Sequence, residues 1–338
     1  MSEIKNSNTP ANPQDIKKIA LLTSGGDAPG MNAAIRAIVR SAIYYNLKVV
    51  GVKNGFSGLI NNDFIEMKSH SVSKIISRGG TILKSSRCPE FKMQQGRERA
   101  FNNMKAAGID ALIVNGGDGS FRGADLLYKE FGIPVIGIPC TIDNDIYGTD
   151  FTIGFDSAIN TVIRAVDNIR DTAESHNILF FVEVMGRHSG FIALNSSIAS
   201  GAEATLLPEI QTDIDQLCHF MEMERRKNKT SGIVIVAEGD EEGGAAEIAQ
   251  KVKQRLPNYE TRVTTLGHIQ RGGSPSCNDR VLASLLGHAA VKGLLEGKTG
   301  LMAGQVNREI VFTPLEEAYT KRDKIDKNWI EISKIISM

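Results

Sequence analysis

Twice between residues 111 and 145 an apolar run of strand length stops on small, polar and acidic residues. Ala111-Leu112-Ile113-Val114-Asn115 breaks into Gly116-Gly117-Asp118-Gly119-Ser120, and Val135-Ile136-Gly137-Ile138-Pro139 breaks into Cys140-Thr141-Ile142-Asp143-Asn144-Asp145. Continuous apolar runs of this length suit strands buried on both faces of a parallel sheet. In an open α/β sheet, ligands bind beyond the carboxyl ends of the strands. Both breaks are therefore expected to open onto one crevice, furnished with glycines and with Asp118, Asp143 and Asp145.

The same syntax recurs along the chain. Ile19-Ala20-Leu21-Leu22 reads as a strand and Ser24 to Gly30 as a turn. A helix follows, with an apolar stripe at Met31, Ala34, Ile35, Ile38, Val39, Ala42 and Ile43. Pro29 is expected in the first turn of that helix, where its missing N–H costs nothing. Leu47 to Val52 reads as a second strand, and residues 77–90, with paired glycines and Pro89, as a loop. A long helix starts at Phe155 and is expected to end near Arg170-Asp171. Strands at Leu179–Val184, Ile233–Ala237 and Val263–Ile269 break at Met185-Gly186-Arg187-His188-Ser189-Gly190, at Glu238-Gly239 and at Gln270-Arg271-Gly272-Gly273. Strands alternating with helices predict an α/β fold with doubly wound parallel sheets. A length of 338 residues admits two domains. No linker rich in Pro, Ser or Gly separates two halves, so the chain is expected to cross between them more than once.

Charge balance narrows the function classes. Lys plus Arg and Asp plus Glu both number 39, a net charge of zero. No global basic field gathers nucleic acid or a membrane surface, so any anion site must be local. Cys88, Cys140, Cys218 and Cys277 are far apart, which argues against a disulfide framework or a cysteine metal site and favours a reducing, cytoplasmic setting. No apolar stretch reaches the ~20 residues of a membrane span. Residues 1–15 are rich in Asn, Pro and Ser and read as a loose leader rather than a signal peptide.

The breaks carry the chemistry. A glycine turn feeding a helix N-terminus offers N–H groups and a favourable dipole to an anion. Gly116 to Ser120 lacks the Lys-Ser/Thr ending of a Walker loop, and Gly297-Lys298-Thr299 imitates that ending without the required upstream glycine. Gly117-x-Gly119-x-x-x-Gly123 is one residue longer than the dinucleotide fingerprint, which keeps a nicotinamide-binding reading open. Asp118 points instead to phosphoryl transfer, since a carboxylate there repels a bare pyrophosphate but holds magnesium against it. Asp143 and Asp145, two residues apart, suit a base and a metal-shell carboxylate, or else a simple Asx-rich turn. Arg36 and Arg40, on the face opposite the apolar stripe, make either a solvated helix face or a second anion site. Arg87 is a phosphate candidate in a polar loop. His188 and His268 near strand ends are acid/base candidates, or ordinary hydrogen-bonding residues.

Leu22-Thr23-Ser24-Gly25-Gly26-Asp27-Ala28-Pro29-Gly30-Met31-Asn32, the Gly116–Ser120 loop, Thr141–Asp145, Val182–Arg187 and Leu266–Pro275 together resemble 6-phosphofructokinase, in order from about residue 18 to the C-terminus. The resemblance implies two doubly wound domains, with the active site in the cleft between them, that transfer the γ-phosphoryl of MgATP to the 1-hydroxyl of fructose 6-phosphate. It implies Asp143 as the base, with Arg187, Thr141 and Arg87 as the other catalytic residues. Asp118 would hold Mg2+, with Asp145 near the metal. Gly26, Arg87, Cys88, Gly117, Asp118, Gly119 and Ser120 would line the ATP site. Thr141, Ile142, Asp143, Met185, Gly186, Arg187, Glu238, His268, Ile269, Gln270 and Arg271 would hold the sugar phosphate, with Arg262 reaching in from a neighbouring subunit of a homotetramer. Arg36, Arg40, Arg170, Gly201, Glu203, Lys227 and Lys229 match an effector site for ADP or phosphoenolpyruvate.

The implied layout is a flexible extension over 1–17, an ATP-binding domain over 18–152 plus 270–320, and a sugar-phosphate-binding domain over 153–269 plus 321–338. Ile178 stands where the bacterial pattern has a second intersubunit arginine, which predicts weaker binding of fructose 6-phosphate. Cys140 stands where ATP users have Gly and pyrophosphate users Lys. Gly119, rather than Asp, favours ATP. Asp63 and Ser231 replace an arginine and a histidine of the effector site, so regulation is expected to differ. A pyrophosphate-dependent enzyme, another sugar-phosphate kinase and a non-catalytic regulatory paralogue are the competing readings.

Overall fold

The computed structural model describes residues 16–226 and 231–337. In chain order the elements are β1 (Lys18–Thr23), α1 (Met31–Tyr44), β2 (Lys48–Val52), α2 (Phe56–Asn61), β3 (Phe64–Glu66), α3 (Gln94–Ala106), β4 (Ala111–Gly116), α4 (Asp118–Phe131), β5 (Val135–Thr141) and β6 (Ile153–Gly154). There follow α5 (Phe155–His176), β7 (Ile178–Val184), α6 (Phe191–Ser200), β8 (Ala204–Leu206), α7 (Ile214–Arg226), β9 (Gly232–Ala237), α8 (Ala245–Arg255) and β10 (Glu260–Thr265). The chain closes with α9 (Cys277–Leu295), β11 (Leu301–Val306), β12 (Glu309–Pro314), α10 (Leu315–Thr320) and α11 (Lys327–Ile336). None of these helices is long and apolar enough to cross a membrane.

Two compact units divide the chain. Among the described residues, the first takes 16–141, 146–154 and 273–322; the second takes 142–145, 155–226, 231–272 and 323–337. The short segment Ile142–Asp145, which carries Asp143, thus belongs to the second unit although Thr141 ends a strand of the first.

The first unit is built on a sheet of order β12-β11-β5-β4-β1-β2-β3, with β6 paired to β5. β1, β2, β4, β5 and β11 run parallel, and antiparallel β3 and β12 close the two edges. Leu22, Val52, Leu112, Val114 and Val135 pack with Phe56, Phe121 and Leu127 in one continuous core. α1 and α9 pack against each other. Gly30, at φ +111°, is the N-cap of α1, and a Cβ there would lie 2.5 Å from Ile153 Cγ2. Pro29 consequently precedes the helix instead of opening it: the left-handed cap that only glycine adopts easily intervenes.

The second unit has four parallel strands in the order β10-β7-β9-β8. Phe181, Val234 and Val236 pack with Leu217, Ile248 and Val252 from its helices. α5 runs to His176, beyond the end expected near Arg170-Asp171. Its last residues carry little apolar surface, and its stop is Asn177 at φ +55°, a left-handed position taken without glycine. The strand expected over Val263–Ile269 is displaced to Glu260–Thr265, followed by a 3-10 turn over Gly267–Arg271.

Candidate active site

In the first unit, the turns after β1 and β4 meet. A Cβ on Gly116 would lie 2.5 Å from Ser120 Oγ and 2.7 Å from the Ser24 carbonyl, and one on Gly25 would lie 3.5 Å from Ser120 Oγ. Glycine at 116 is therefore a matter of close approach. Gly26 is exposed beside this junction, and Thr141 lies under the loop, its Cβ 3.7 Å from where a Cβ on Gly117 would be. Asp118 opens α4, so its carboxylate sits at the positive end of a 14-residue helix. The Gly119 N–H donates to Asp118 Oδ1 at 2.6 Å, and Arg322 Nη2 is 3.8 Å from Oδ2.

The loop carrying Arg87 and Cys88 is laced to the β1 turn by side chains that sequence patterning does not single out. Ser85 Oγ donates to the Gly25 carbonyl at 2.7 Å and Thr23 Oγ1 to the Lys84 carbonyl at 2.8 Å. Asn32, buried on α1, donates to the carbonyls of Arg78 and Gly79 and accepts the Ile82 N–H at 2.8 Å. Arg97 is buried and fully used: it pairs with Glu130 of α4 and donates to the carbonyls of Phe91 and Lys92. The 3-10 turn that directly follows Cys88 is thereby tied to α4, the helix that Asp118 opens. Arg87 itself is exposed.

Cys140 presents no thiol to this surface. It is 1% exposed, and burial, with the Asp279 charge nearby, pushes its thiol well above the usual range. Position 140 consequently adds no charge where a lysine would add one.

Asp118 supplies a single oxygen-bearing side chain, and among the described residues no group of three His, Cys, Asp or Glu could hold an ion. That donor set fits a hard divalent cation that keeps its waters and takes its remaining ligands from phosphate, as magnesium does.

In the second unit, Asp143 is 6% exposed and its charged neighbours are Asp145, Arg271, Arg187 and Glu238. Burial foremost, then the Asp145 charge, raises its carboxyl above the ordinary range; Arg271 and Arg187 pull the other way. Ser189 Oγ donates to the Asp143 carbonyl at 2.8 Å. Asn144 and Arg187 both sit at positive φ, +53° and +56°. Glu238 Oε1 accepts the N–H of Arg187 at 2.8 Å and of Gly186 at 3.3 Å, while Gln270 Oε1 accepts the Met185 N–H at 3.2 Å. Thus Ile142, Asp143, Met185, Gly186, Arg187, Glu238, Gln270 and Arg271 gather around one buried carboxylate and the loops that frame it. His268 and Ile269 are exposed on the 3-10 turn that ends at Arg271. Arg262 is exposed on β10, an edge strand, and pairs with Glu260.

Of the residues matched to an effector site, Arg170, Gly201 and Glu203 come together. Arg170 Nη2 donates to the carbonyls of Ser200 and Gly201, and Nη1 lies 3.5 Å from Glu203 Oε1. Glu203 also accepts the Ile233 N–H at 2.6 Å. Arg36 and Arg40 stand on the outer face of α1, where partial burial and the Arg40 charge lower the Arg36 value. Asp63 accepts from Asn54 Nδ2. Lys227 and Lys229 lie outside the described residues.

Glycine turns opening a helix on a carboxylate in one unit, and a buried aspartate with two arginines among its charged neighbours in the other, are features that suit a phosphotransferase built on two doubly wound α/β units. A phosphofructokinase family model matches residues 18–294. Over 323 residues the chain is 53% identical to ATP-dependent 6-phosphofructokinase 2 of Bacteroides thetaiotaomicron, spanning 96% of this chain and 99% of that one. It is 51% identical to the ATP-dependent 6-phosphofructokinase of Cytophaga hutchinsonii, spanning 94% and 97%. The chain belongs to the phosphofructokinase family. Among solved structures, phosphofructokinase from Saccharomyces cerevisiae superposes with a TM-score of 0.85 at 36% identity, covering 95% of this chain but 46% of the yeast chain. A pyrophosphate-dependent phosphofructokinase from Marinobacter aquaeolei superposes with a TM-score of 0.84 at 26% identity, covering 94% of this chain and 88% of that one.

Proposed function

We infer that this protein is an ATP-dependent 6-phosphofructokinase, moving the γ-phosphoryl of ATP to the 1-hydroxyl of fructose 6-phosphate. The observation that carries the reading is Asp143, a carboxylate 6% exposed with Arg187 and Arg271 among its charged neighbours. A raised carboxyl is a stronger proton acceptor than a surface aspartate, which suits removal of the hydroxyl proton as the phosphoryl arrives. Arg187 and Arg87 supply positive charge where a loose transition state spreads negative charge. The first unit is assigned the nucleotide, through Gly26, Arg87, Cys88 and Gly117 to Ser120. The second is assigned the sugar phosphate, through Met185, Gly186, Arg187, Glu238, His268, Ile269, Gln270 and Arg271, with Thr141 and Ile142 at the junction. Asp118 would hold the divalent ion, assigned as Mg2+; when bound, that ion neutralises charge on the phosphates.

Gly119 supports ATP as the donor: a Cβ there meets nothing within 4 Å, and no carboxylate repels the α-phosphate. A homotetramer is assigned as the working form, with Arg262 on its exposed edge strand offered to a neighbouring subunit. Arg36, Arg40, Arg170, Gly201 and Glu203 are assigned to an ADP or phosphoenolpyruvate site.

A coupled assay of the purified protein decides the reading. Turnover with ATP and fructose 6-phosphate, and none with pyrophosphate, is the expected result. Turnover with pyrophosphate, with a different sugar phosphate, or with none at all sinks it; ADP and phosphoenolpyruvate added in turn test the effector site.

A further inference from the structure

Two carboxylates of the second unit hold the loop between β7 and α6, one at each end. Glu238 takes the N–H groups of Gly186 and Arg187. At the far end Glu209, from the stretch between β8 and α7, accepts the Gly190 N–H on Oε1 at 2.8 Å. Glu209 belongs to none of the motifs above. Gly190 is the N-cap of α6 with an ordinary φ of −88°, so its backbone does not demand glycine. Space does: a Cβ there would lie 2.5 Å from Glu209 Oε2 and 2.8 Å from Leu207 Cδ2.

The loop between these two holds is a closed turn. The Ser189 N–H donates to the Gly186 carbonyl at 2.9 Å, and a Cβ on Gly186 would lie 2.2 Å from the Ser189 carbonyl. Arg187, inside the turn, is left-handed. A turn so determined by its contacts has little freedom of its own and passes on a displacement applied at either end. Ser189, buried and adjacent to Gly190, donates its hydroxyl to the Asp143 carbonyl at 2.8 Å. A path of main chain and hydrogen bonds therefore runs from Glu209 through Gly190 and Ser189 to the backbone of Asp143. Glu209 itself is exposed at the N-terminus of a 10-residue helix, where a carboxylate adds only modestly to stability. A shift of the base is dearer: misplacement by about 1 Å can cost 10²-fold in rate.

We propose that Glu209 is a positioning residue for the phosphoryl-accepting site: it sets Gly190 and Ser189, and through the Ser189 hydroxyl the main chain of Asp143. The proposal rests on the kinase reading above and adds to it a carboxylate that acts through other residues. Glu238 and Glu209 then divide the loop, the first governing Arg187 and the hold on the sugar phosphate, the second governing the base and the rate.

The test is steady-state kinetics with ATP and fructose 6-phosphate on the full-length wild type, Glu209→Ala, Glu209→Gln, Ser189→Ala and the Glu209→Ala/Ser189→Ala double variant. Glu209→Ala should lower kcat about tenfold, as a small displacement of the base would. KM for both substrates should stay within about twofold. Glu209→Gln keeps an oxygen for the Gly190 N–H and should recover most of the rate. Ser189→Ala should lower kcat in the same way, and the double variant should be no slower than the slower single one, because both changes break one path. A Glu209→Ala kcat equal to wild type, a loss in KM rather than kcat, no recovery with Gln, or losses that multiply in the double variant overturns the proposal. Ser189→Ala decides the matter if Glu209→Ala does not fold: an unchanged kcat there overturns the proposal too. Wild-type protein without turnover overturns the kinase reading, and this proposal with it.

Discussion

Glu238 holds Arg187 by its main chain: the Arg187 N–H donates to Glu238 Oε1 at 2.8 Å, at a residue whose φ is +56°. A left-handed arginine stays in place only while its surroundings fix it. Behind it, a Cβ on Gly239 would lie 1.7 Å from the Arg187 carbonyl, so the two backbones are in direct contact. Glu238→Ala removes the acceptor for two N–H groups. The expected result is a KM for fructose 6-phosphate raised about tenfold, in line with a lost charged hydrogen bond of about 1.5–3 kcal/mol. Glu238→Gln should retain part of that binding, and steady-state kinetics on the two variants check both statements.

Asp143 is expected to carry the chemical step. Asp143→Ser or Asp143→Asn should lower kcat by at least about 10²-fold, a usual share for a positioned base, with both KM values near wild type. Retained turnover would mean that another group takes the proton.

The same residue ties activity to stability with a definite sign. Its carboxyl is raised in the folded protein, chiefly by burial and then by Asp145. The protonated form is therefore the one the fold favours, and the stabilisation it brings is lost as pH rises through the folded value. At neutral pH the ionised group works against folding, so Asp143→Asn should raise Tm by about 2–4 °C. Differential scanning fluorimetry at pH 7 checks it, and the gain should shrink toward pH 4. The kcat–pH profile of the wild type should show its acid limb above the ordinary aspartate range, near 3.9.

Ile178 is 7% exposed at the start of β7, with Glu260 as its cross-strand partner in the register that also carries Arg262. An arginine there would restore the donor that the bacterial pattern has. Ile178→Arg should lower KM for fructose 6-phosphate about tenfold. Kinetics at matched protein concentration reads this, and an unchanged KM sinks that account of the substitution.

Gly119 separates charge from shape. Because a Cβ at this position meets nothing within 4 Å, Gly119→Asp should fold as well as wild type. Its KM for ATP should nonetheless rise by about tenfold or more, since a carboxylate then faces the nucleotide's phosphates. Circular dichroism and ATP kinetics on one preparation test the two halves together.

The strand ends and the turns that follow them were legible because a buried parallel strand and a glycine turn each leave a local mark. Asp118, Asp143, Arg187 and Glu238 sit at such breaks, which local pattern marks as polar positions, while the roles expected of Asp143, Arg187 and Glu238 came from the family resemblance. What lay beyond local pattern were the side chains that brace those turns from a distance. Asn32 and Ser189 act through bonds to main-chain atoms of residues far along the sequence, and Arg97 through its pair with the distant Glu130 side chain; no period or spacing records such partners. The stops at Asn177 and Gly267 were obscured for a related reason. Asn177 takes a glycine's conformation without being glycine, and Gly267, at φ +50°, opens a 3-10 turn inside a stretch rich in β-branched residues that otherwise reads as strand.

The open space around Gly119 bears on how the donor of such an enzyme changes over evolutionary time. No neighbouring atom forbids a larger residue there, and Cys140 is sealed beneath the surface rather than lining it. A lineage could exchange one phosphoryl source for another by altering formal charge at an accessible position, with no repacking of the interior. Preference among donors would then be among the most labile of this protein's properties, and its architecture among the most durable.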